Sequence, residues 1–240
     1  MTATLPPSLR DTLSQSGQGP LLHQVDTWSH AEQLSFLADA EHIDWALVQR
    51  LYRSAAGAVD LGADDPREMA RRATSPERLV RLPTTDSEQR PWRDAVARGE
   101  SALRDGQVAA VLVAGGQGTR LGTSDPKGMF PIGPISGKSL FQLFCEQLIA
   151  RQRRYGVRIP YAVMTSDATH AATVSYFESH GFFGLEPDDV WFFCQANMPA
   201  VDANTGVALL AGPGRLAVSP DGHGGILAAM SKSGVLKKLA

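Results

Sequence analysis

The sequence predicts an α/β fold built on a parallel, doubly wound sheet. Three observations carry that expectation. Short apolar runs at Val108–Ala114, Tyr161–Thr165 and Val190–Gln195 have the composition of strands buried on both faces. Helix-patterned segments, Ser139–Tyr155 and Thr169–His180, alternate with them. A glycine-rich loop, Gly115–Gly122, follows the first run directly, where open α/β sheets bind ligands.

Taken in order, the first hundred residues read as helical and irregular. Leu34, Leu37, Ile43, Leu47 and Leu51 recur at roughly helical spacing, and Asp44–Arg53 suits an amphipathic helix. Pro66, Pro76, Pro83 and Pro91 then punctuate a polar stretch that reads as an extended connector. The character changes near Gly106. In Ser139–Tyr155, Leu140, Phe141, Leu143, Phe144, Leu148 and Ile149 form one buried face behind a Ser139 N-cap. The second helix ends at Gly181. A short hairpin or edge strand is expected near Val207–Leu210, and Ile226–Ala240 reads as a helix with Lys232, Lys237 and Lys238 exposed. The expected division is a helical extension over 1–105 and the first part of a nucleotide-binding domain over 106–240.

Bulk properties narrow the function classes. A net charge of −2 gives no broad basic surface for nucleic acid, so an anionic ligand needs a local site. Cys145 and Cys194 both lie in apolar stretches, which predicts core thiols rather than disulfides and suits a reducing cytoplasm. Met1–Arg10 lacks a signal-peptide pattern, and the apolar run at Val108–Ala114 is too short to span a bilayer. No membrane role is expected. The histidines His23, His30, His42, His170 and His180 show no ligand spacing, and Asp188-Asp189 reads as a turn before a strand, so no metal site is expected within these residues.

The strongest local signal is Val113-Ala114-Gly115-Gly116-Gln117-Gly118-Thr119-Arg120-Leu121-Gly122, followed by Pro126-Lys127-Gly128. Glycines bring backbone N–H groups close to anionic oxygens, and Arg120 and Lys127 add fixed positive charge. The dinucleotide fingerprint G-x-G-x-x-G fails because Leu121 takes its third glycine position. The Walker loop fails because Ile132 stands where its first glycine belongs before Gly137-Lys138-Ser139. A glycine turn without a ligand is the plainer alternative. Four glycines, an arginine and a Pro-Lys-Gly after a buried strand favour phosphate binding.

At these residues the sequence resembles the UDP-sugar pyrophosphorylase family, most closely its eukaryotic-type UDP-N-acetylglucosamine branch. The family pattern is L-A-G-G-x-G-T-R-L-G with P-K-G; here Val113 replaces the leucine. The resemblance continues through Lys138-Ser139-Leu140-Phe141-Gln142, Ile159-Pro160 with Met164-Thr165-Ser166, Phe192-Phe193-Cys194-Gln195 with Met198-Pro199-Ala200, and Pro220-Asp221-Gly222-His223-Gly224-Gly225. These motifs cover about Gly106 to Leu227.

The resemblance implies a Rossmann-like, GT-A-like nucleotidyltransferase core, joining UTP to a sugar 1-phosphate with Mg²⁺ assisting. It implies that Gly115 and Gly116 hold the uridine end, with Ala114, Gly118 and Thr119 completing the nucleotide-binding loop. Gln195 and Gly222 would read the uracil edge, Arg120 and Lys127 would hold phosphates, and His223 would lie near the sugar. His223 stands where the acetylglucosamine enzymes carry asparagine, which keeps a glucose 1-phosphate enzyme as an alternative. The family's metal-binding aspartate and sugar-phosphate lysine lie further along than residue 240. The expectation is therefore an N-terminal half, and a non-catalytic nucleotide-binding fragment is the alternative from another class. Plainer readings stand beside these roles: a surface lysine at Lys127, an ion pair within the loop for Arg120, and a turn-bonded side chain for Gln195.

Overall fold

The computed structural model describes residues 5–55, 66–76, 79 and 81–239. The chain divides into two compact units, Met1–Leu79 with Asn197–Ser219, and Val80–Ala196 with Pro220–Ala240.

The first unit opens with helices α1 (Pro7–Gln15), α2 (Gly19–Val25), α3 (His30–Ala40), α4 (Trp45–Ala55) and α5 (Pro66–Arg72). Ser29 and Glu32 close a capping box that starts α3, with the Ser29 N–H donating to Glu32 Oε2 at 2.7 Å. Asp44 accepts from the Leu47 N–H at 2.9 Å at the head of α4. The buried core is Leu13, Leu21, Val25, Phe36 and Trp45, whose indole N–H donates to the Ala40 carbonyl at 3.0 Å. The amphipathic helix expected over Asp44–Arg53 is present, but its phase differs. Trp45 and Val48 are buried, while Leu47 is half-buried and Leu51 exposed. The larger indole, three residues before Val48, sets the face that turns inward.

The second unit begins with α6 (Asp86–Arg104). The expected proline-rich connector is corrected here at both ends. Pro66 starts α5, where its missing N–H costs nothing, and Pro91 lies inside α6. A Thr85–Glu88 capping box fixes the first turn, so Pro91 removes a single ladder bond from a helix already started. Residues 77, 78 and 80 of that stretch lie outside the described residues.

Strand β1 (Ala110–Val113), helix α7 (Leu140–Tyr155), strand β2 (Tyr161–Thr165), helix α8 (His170–Ser179) and strand β3 (Val190–Cys194) follow. The strands pair in parallel in the order β1-β2-β3, with Val113 opposite Met164 and Thr165 opposite Cys194. This is the expected parallel α/β arrangement. Ser139 caps α7, accepting from the Gln142 N–H at 3.2 Å, and Gly156 ends it at φ 67°. The aromatic core stacks Phe141 edge-on against Phe177 at 5.2 Å, and Phe177 against Phe192 at 5.2 Å. Beyond α8, Phe182 and Phe183 adopt left-handed backbone between Gly181 and Gly184, and Phe183 packs edge-on to Phe177. Asp188-Asp189 forms the turn before β3, and Asp189 pairs with Arg158 at 2.6 Å.

After β3 the chain returns to the first unit as β4 (Asn197–Pro199), β5 (Leu210–Gly212), β6 (Arg215–Leu216) and β7 (Val218–Pro220). β4 pairs with β7, and β5 with β6 as an antiparallel hairpin. Gln18, almost fully buried, ties this segment to the helices. Its Nε2 donates to the Gly206 carbonyl at 3.0 Å and its Oε1 accepts from the Ala208 N–H at 2.8 Å.

The second unit closes with α9 (Ile226–Lys232) and α10 (Val235–Leu239). The single helix expected there is broken because Gly234 takes φ 79°. The three lysines are exposed, and the Lys238 ammonium lies 5.3 Å from the Trp191 ring centre. Cys145 is a buried free thiol whose pKa burial pushes up to about 12; Cys194 is free and half-buried. No described helix is long and apolar enough to cross a membrane.

Candidate nucleotide site

A cavity of about 520 Å³ opens in the second unit at the carboxyl ends of β1 and β3. Ala114, Gly115, Gly116, Lys127, Gln195, Gly222 and His223 line it, so four separate segments of the chain meet around one cavity. Leu112, Leu140, Phe141 and Phe144 supply its apolar floor from β1 and the buried face of α7. An apolar body with a few convergent polar groups is the usual build of a small-molecule site.

The glycine loop is held from both sides. The Ala114 N–H donates to the Met164 carbonyl at 2.6 Å, continuing the β1–β2 ladder by one residue. The Lys127 N–H donates to the Gly116 carbonyl at 3.0 Å, and the Gly118 N–H to the Asp125 carbonyl at 2.8 Å. These bonds fold Pro126-Lys127 back beside the loop. Among the described residues, the N–H groups of Gly115 and Gly116 make no hydrogen bond.

The glycines differ in what they permit. At Gly115 a Cβ would lie 2.5 Å from Gln195 Nε2, so the carboxamide rests on this Cα. Gly116 has open space around it. Gly118 is buried, and a Cβ there would strike the Thr123 methyl at 2.6 Å. Its N–H is already committed, which makes it a joint of the loop rather than part of the cavity wall. At Gly128 a Cβ would enter the Phe141 ring. The far end of the ring therefore packs directly against the Pro-Lys-Gly turn that carries Lys127.

Gln195 is 8% exposed, and its N–H donates to the Thr165 carbonyl at 2.9 Å. Its carboxamide makes no hydrogen bond among the described residues, so the plainer expectation of a turn-bonded glutamine does not hold. Its donor and acceptor are both unspent among the described residues, and neither is sealed off from the cavity, so both are available to a ligand. Lys127 is exposed at the cavity, and its ammonium makes no ion pair among the described residues. Thr119 and Arg120 sit on the one-turn 3₁₀ helix Thr119–Leu121, exposed and outside the cavity lining. No ion pair within the loop engages Arg120.

The opposite wall comes from the turn Gly222–Gly225. The Asp221 N–H donates to the Ala196 carbonyl at 3.0 Å, fastening that turn to the end of β3, and Gly222 takes φ 71°. The Asp221 carboxylate rests against the Cα of Gly225, where no side chain would fit. Its Oδ1 is buried without a partner, and burial raises its pKa above the ordinary carboxylate value. Among the described residues no three His, Cys, Asp or Glu side chains converge as a metal-ligand set. Sequence reasoning placed Phe141 and Phe144 only in a helix core and did not single out Ser166, which donates to the Gly115 carbonyl at 2.9 Å. Ser166 stood in the sequence only as the last residue of the Met164-Thr165-Ser166 segment, just past the end of β2.

Comparison with known proteins adds an independent line. The family model for UTP–glucose-1-phosphate uridylyltransferases matches residues 76–240. The chain is 34% identical over 252 residues to the UDP-N-acetylglucosamine diphosphorylase 2 of Arabidopsis thaliana, covering 100% of this chain and 48% of that protein. It is 35% identical over 229 residues to the UDP-N-acetylglucosamine pyrophosphorylase of Saccharomyces cerevisiae, covering 91% and 47%. The crystal structure of the uridine diphosphate N-acetylglucosamine pyrophosphorylase of Trypanosoma brucei, in complex with an inhibitor, superposes with a TM-score of 0.71 at 28% identity. That match covers 92% of this chain and 44% of the other. The chain thus spans about half the length of the curated relatives it matches.

Proposed function

Because the chain belongs to the UTP–glucose-1-phosphate uridylyltransferase family, we propose that it carries the nucleotide-binding part of an enzyme that transfers UMP from UTP to a sugar 1-phosphate. The products are a UDP-sugar and pyrophosphate. The observation that carries this reading is Gln195: a residue 8% exposed, whose carboxamide has no hydrogen bond among the described residues and faces a cavity beside a glycine loop. A carboxamide offers one donor edge and one acceptor, the pair that a uracil edge requires.

In this reading Gln195 and Gly222 take the base, and the unspent N–H groups of Gly115 and Gly116 take the adjacent polar atoms of the nucleotide. Ala114, Gly118 and Thr119 shape that loop. Lys127 brings an unpaired positive charge to the triphosphate, Arg120 adds charge from the loop's outer side, and His223 borders the sugar. The chemistry is attack by a sugar-phosphate oxygen on the α-phosphorus of UTP, with pyrophosphate leaving. Such a step depends on alignment and charge stabilisation more than on an acid or base. The donor set of the described residues does not make a metal site by itself. Magnesium would arrive with the triphosphate, whose oxygens commonly carry it. Residues 106–240 act as the first part of the catalytic domain, in a cytoplasmic protein.

N-acetylglucosamine 1-phosphate is the first candidate acceptor, following the names of the relatives. His223 favours keeping glucose 1-phosphate as the second, and a panel of sugar phosphates in pyrophosphate-release assays separates them. The first test is a thermal-shift titration with UTP, ATP and GTP in Mg²⁺, with Lys127→Ala alongside. A ligand that binds only the folded chain raises its apparent stability by mass action. A shift selective for UTP and lost in Lys127→Ala supports the reading; equal responses to all three nucleotides contradict it. Selective binding without turnover, even with a complementary C-terminal half added, would instead support a non-catalytic nucleotide-binding module.

A further inference from the structure

The loop that meets the nucleotide in this reading is braced from behind by a buried polar chain. Ser166 Oγ lies 2.9 Å from the Gly115 carbonyl and 3.0 Å from Thr169 Oγ1. Both hydroxyls are enclosed, Ser166 being 4% exposed and Thr169 0%. Each hydroxyl carries one hydrogen, which fixes the direction of the chain. A carbonyl can only accept, so Ser166 spends its hydrogen on Gly115. Thr169 then donates to Ser166 Oγ at 3.0 Å, the shorter of its two contacts, the other being the Ser166 carbonyl at 3.4 Å, and its own oxygen accepts from the Ser166 N–H at 3.1 Å. Every member is satisfied, and each bond polarises the next.

What the chain holds is a single peptide plane. The Gly115 carbonyl and the Gly116 N–H share that plane and point in opposite directions, because the peptide is trans. Pinning the carbonyl towards Ser166 therefore aims the Gly116 N–H away from it. The same residue supports Gln195, whose carboxamide rests on the Gly115 Cα. One glycine thus links two recognition groups, and its orientation is set by a serine outside the cavity lining.

We infer that Ser166 is a positioning residue for nucleotide-base recognition, acting through the Gly115–Gly116 peptide on the Gly116 N–H and the Gln195 carboxamide. This inference rests on the proposed uridylyltransferase reading. Its signature is loss of base selectivity, since the residue reaches the ligand only through groups that define the base pocket. A serine that merely stabilised the fold would lower thermal stability and leave selectivity untouched.

The test is isothermal titration of the full chain with UTP and with CTP, whose base edges exchange a donor for an acceptor. Wild type, Ser166→Ala and Thr169→Val are compared, and Ser166→Thr restores the hydroxyl. Ser166→Ala is expected to weaken UTP roughly tenfold, the scale of one orphaned buried carbonyl, and to narrow the UTP-over-CTP ratio. Thr169→Val, one bond further back, is expected to narrow that ratio less, and Ser166→Thr to recover it. A UTP-over-CTP ratio unchanged in a folded Ser166→Ala or Thr169→Val chain overturns the positioning role alone. Wild type that fails to prefer UTP over CTP overturns the uridylyltransferase reading and this inference with it.

Discussion

The carboxamide of Gln195 rests on the bare Cα of Gly115, so close that a methyl group there would lie 2.5 Å from Nε2. The two residues come from the ends of different strands. Their contact joins the glycine loop to the carboxamide that, in the proposed reading, takes the base. Gly115→Ala tests that contact. The obstructing atom is the end of a flexible side chain, so the amide moves aside and the fold survives. Melting temperature should change by no more than about 2 °C, whereas UTP affinity by calorimetry should fall by roughly tenfold or more as the amide leaves its place.

Gly128→Ala should behave in the opposite way. The Phe141 ring occupies the space of the missing Cβ, and that ring is part of the core below the cavity. Overpacking of this kind costs about 1–3 kcal/mol, read as an earlier urea midpoint. Phe141→Leu in the same chain should return part of the loss, and a double-mutant cycle would expose the coupling.

Asp221 makes stability depend on pH. Burial raises its folded pKa above the unfolded value, so its contribution is fully present below the unfolded pKa and is lost as pH rises through the folded one. Asp221→Asn should therefore raise the melting temperature at pH 7. The gain should shrink as pH is lowered towards the ordinary carboxylate range near 4. A gain that grew on acidification would contradict the assignment.

Gln18→Ala should loosen the first unit locally. It leaves the Gly206 carbonyl and the Ala208 N–H without partners in a buried setting, at a combined cost of about 2–4 kcal/mol. Hydrogen exchange at the Ala208 amide should accelerate, while amides in β2, in the other unit, keep their protection.

Elements governed by local pattern were legible in the sequence. The apolar runs gave β1, β2 and β3 to within two residues, but burial on both faces holds only for β2; β1 lies at the sheet edge with Val111 44% exposed. Ser139 and Gly156 delimited α7 through capping, and the glycine loop revealed itself by composition. Features fixed by distant partners were not legible. Nothing near Val207 shows that it belongs with helices made from the first 55 residues. The inward phase of α4 is set by Trp45, which joins the buried core of the first unit, so counting leucines misplaced it. Ser166 looked like the tail of a strand, because its partner is a carbonyl 51 positions earlier. The break at Gly234 is local and could have been read, since a glycine between two short apolar runs is an ordinary helix stop.

The two bonds of Gln18 also set a schedule. They reach 188 and 190 positions along the chain. At ribosomal speeds of about 5–20 residues per second, some ~10–40 s separate the synthesis of Gln18 from that of its partners. For most of that interval α1 to α4 have already been made, yet neither long-range partner of this glutamine exists. Every strand of the parallel sheet is translated before Gly206 is. The earliest helices must therefore wait, incompletely sealed, for a segment made after that sheet, and a pause in translation anywhere before residue 208 prolongs the exposure of their core.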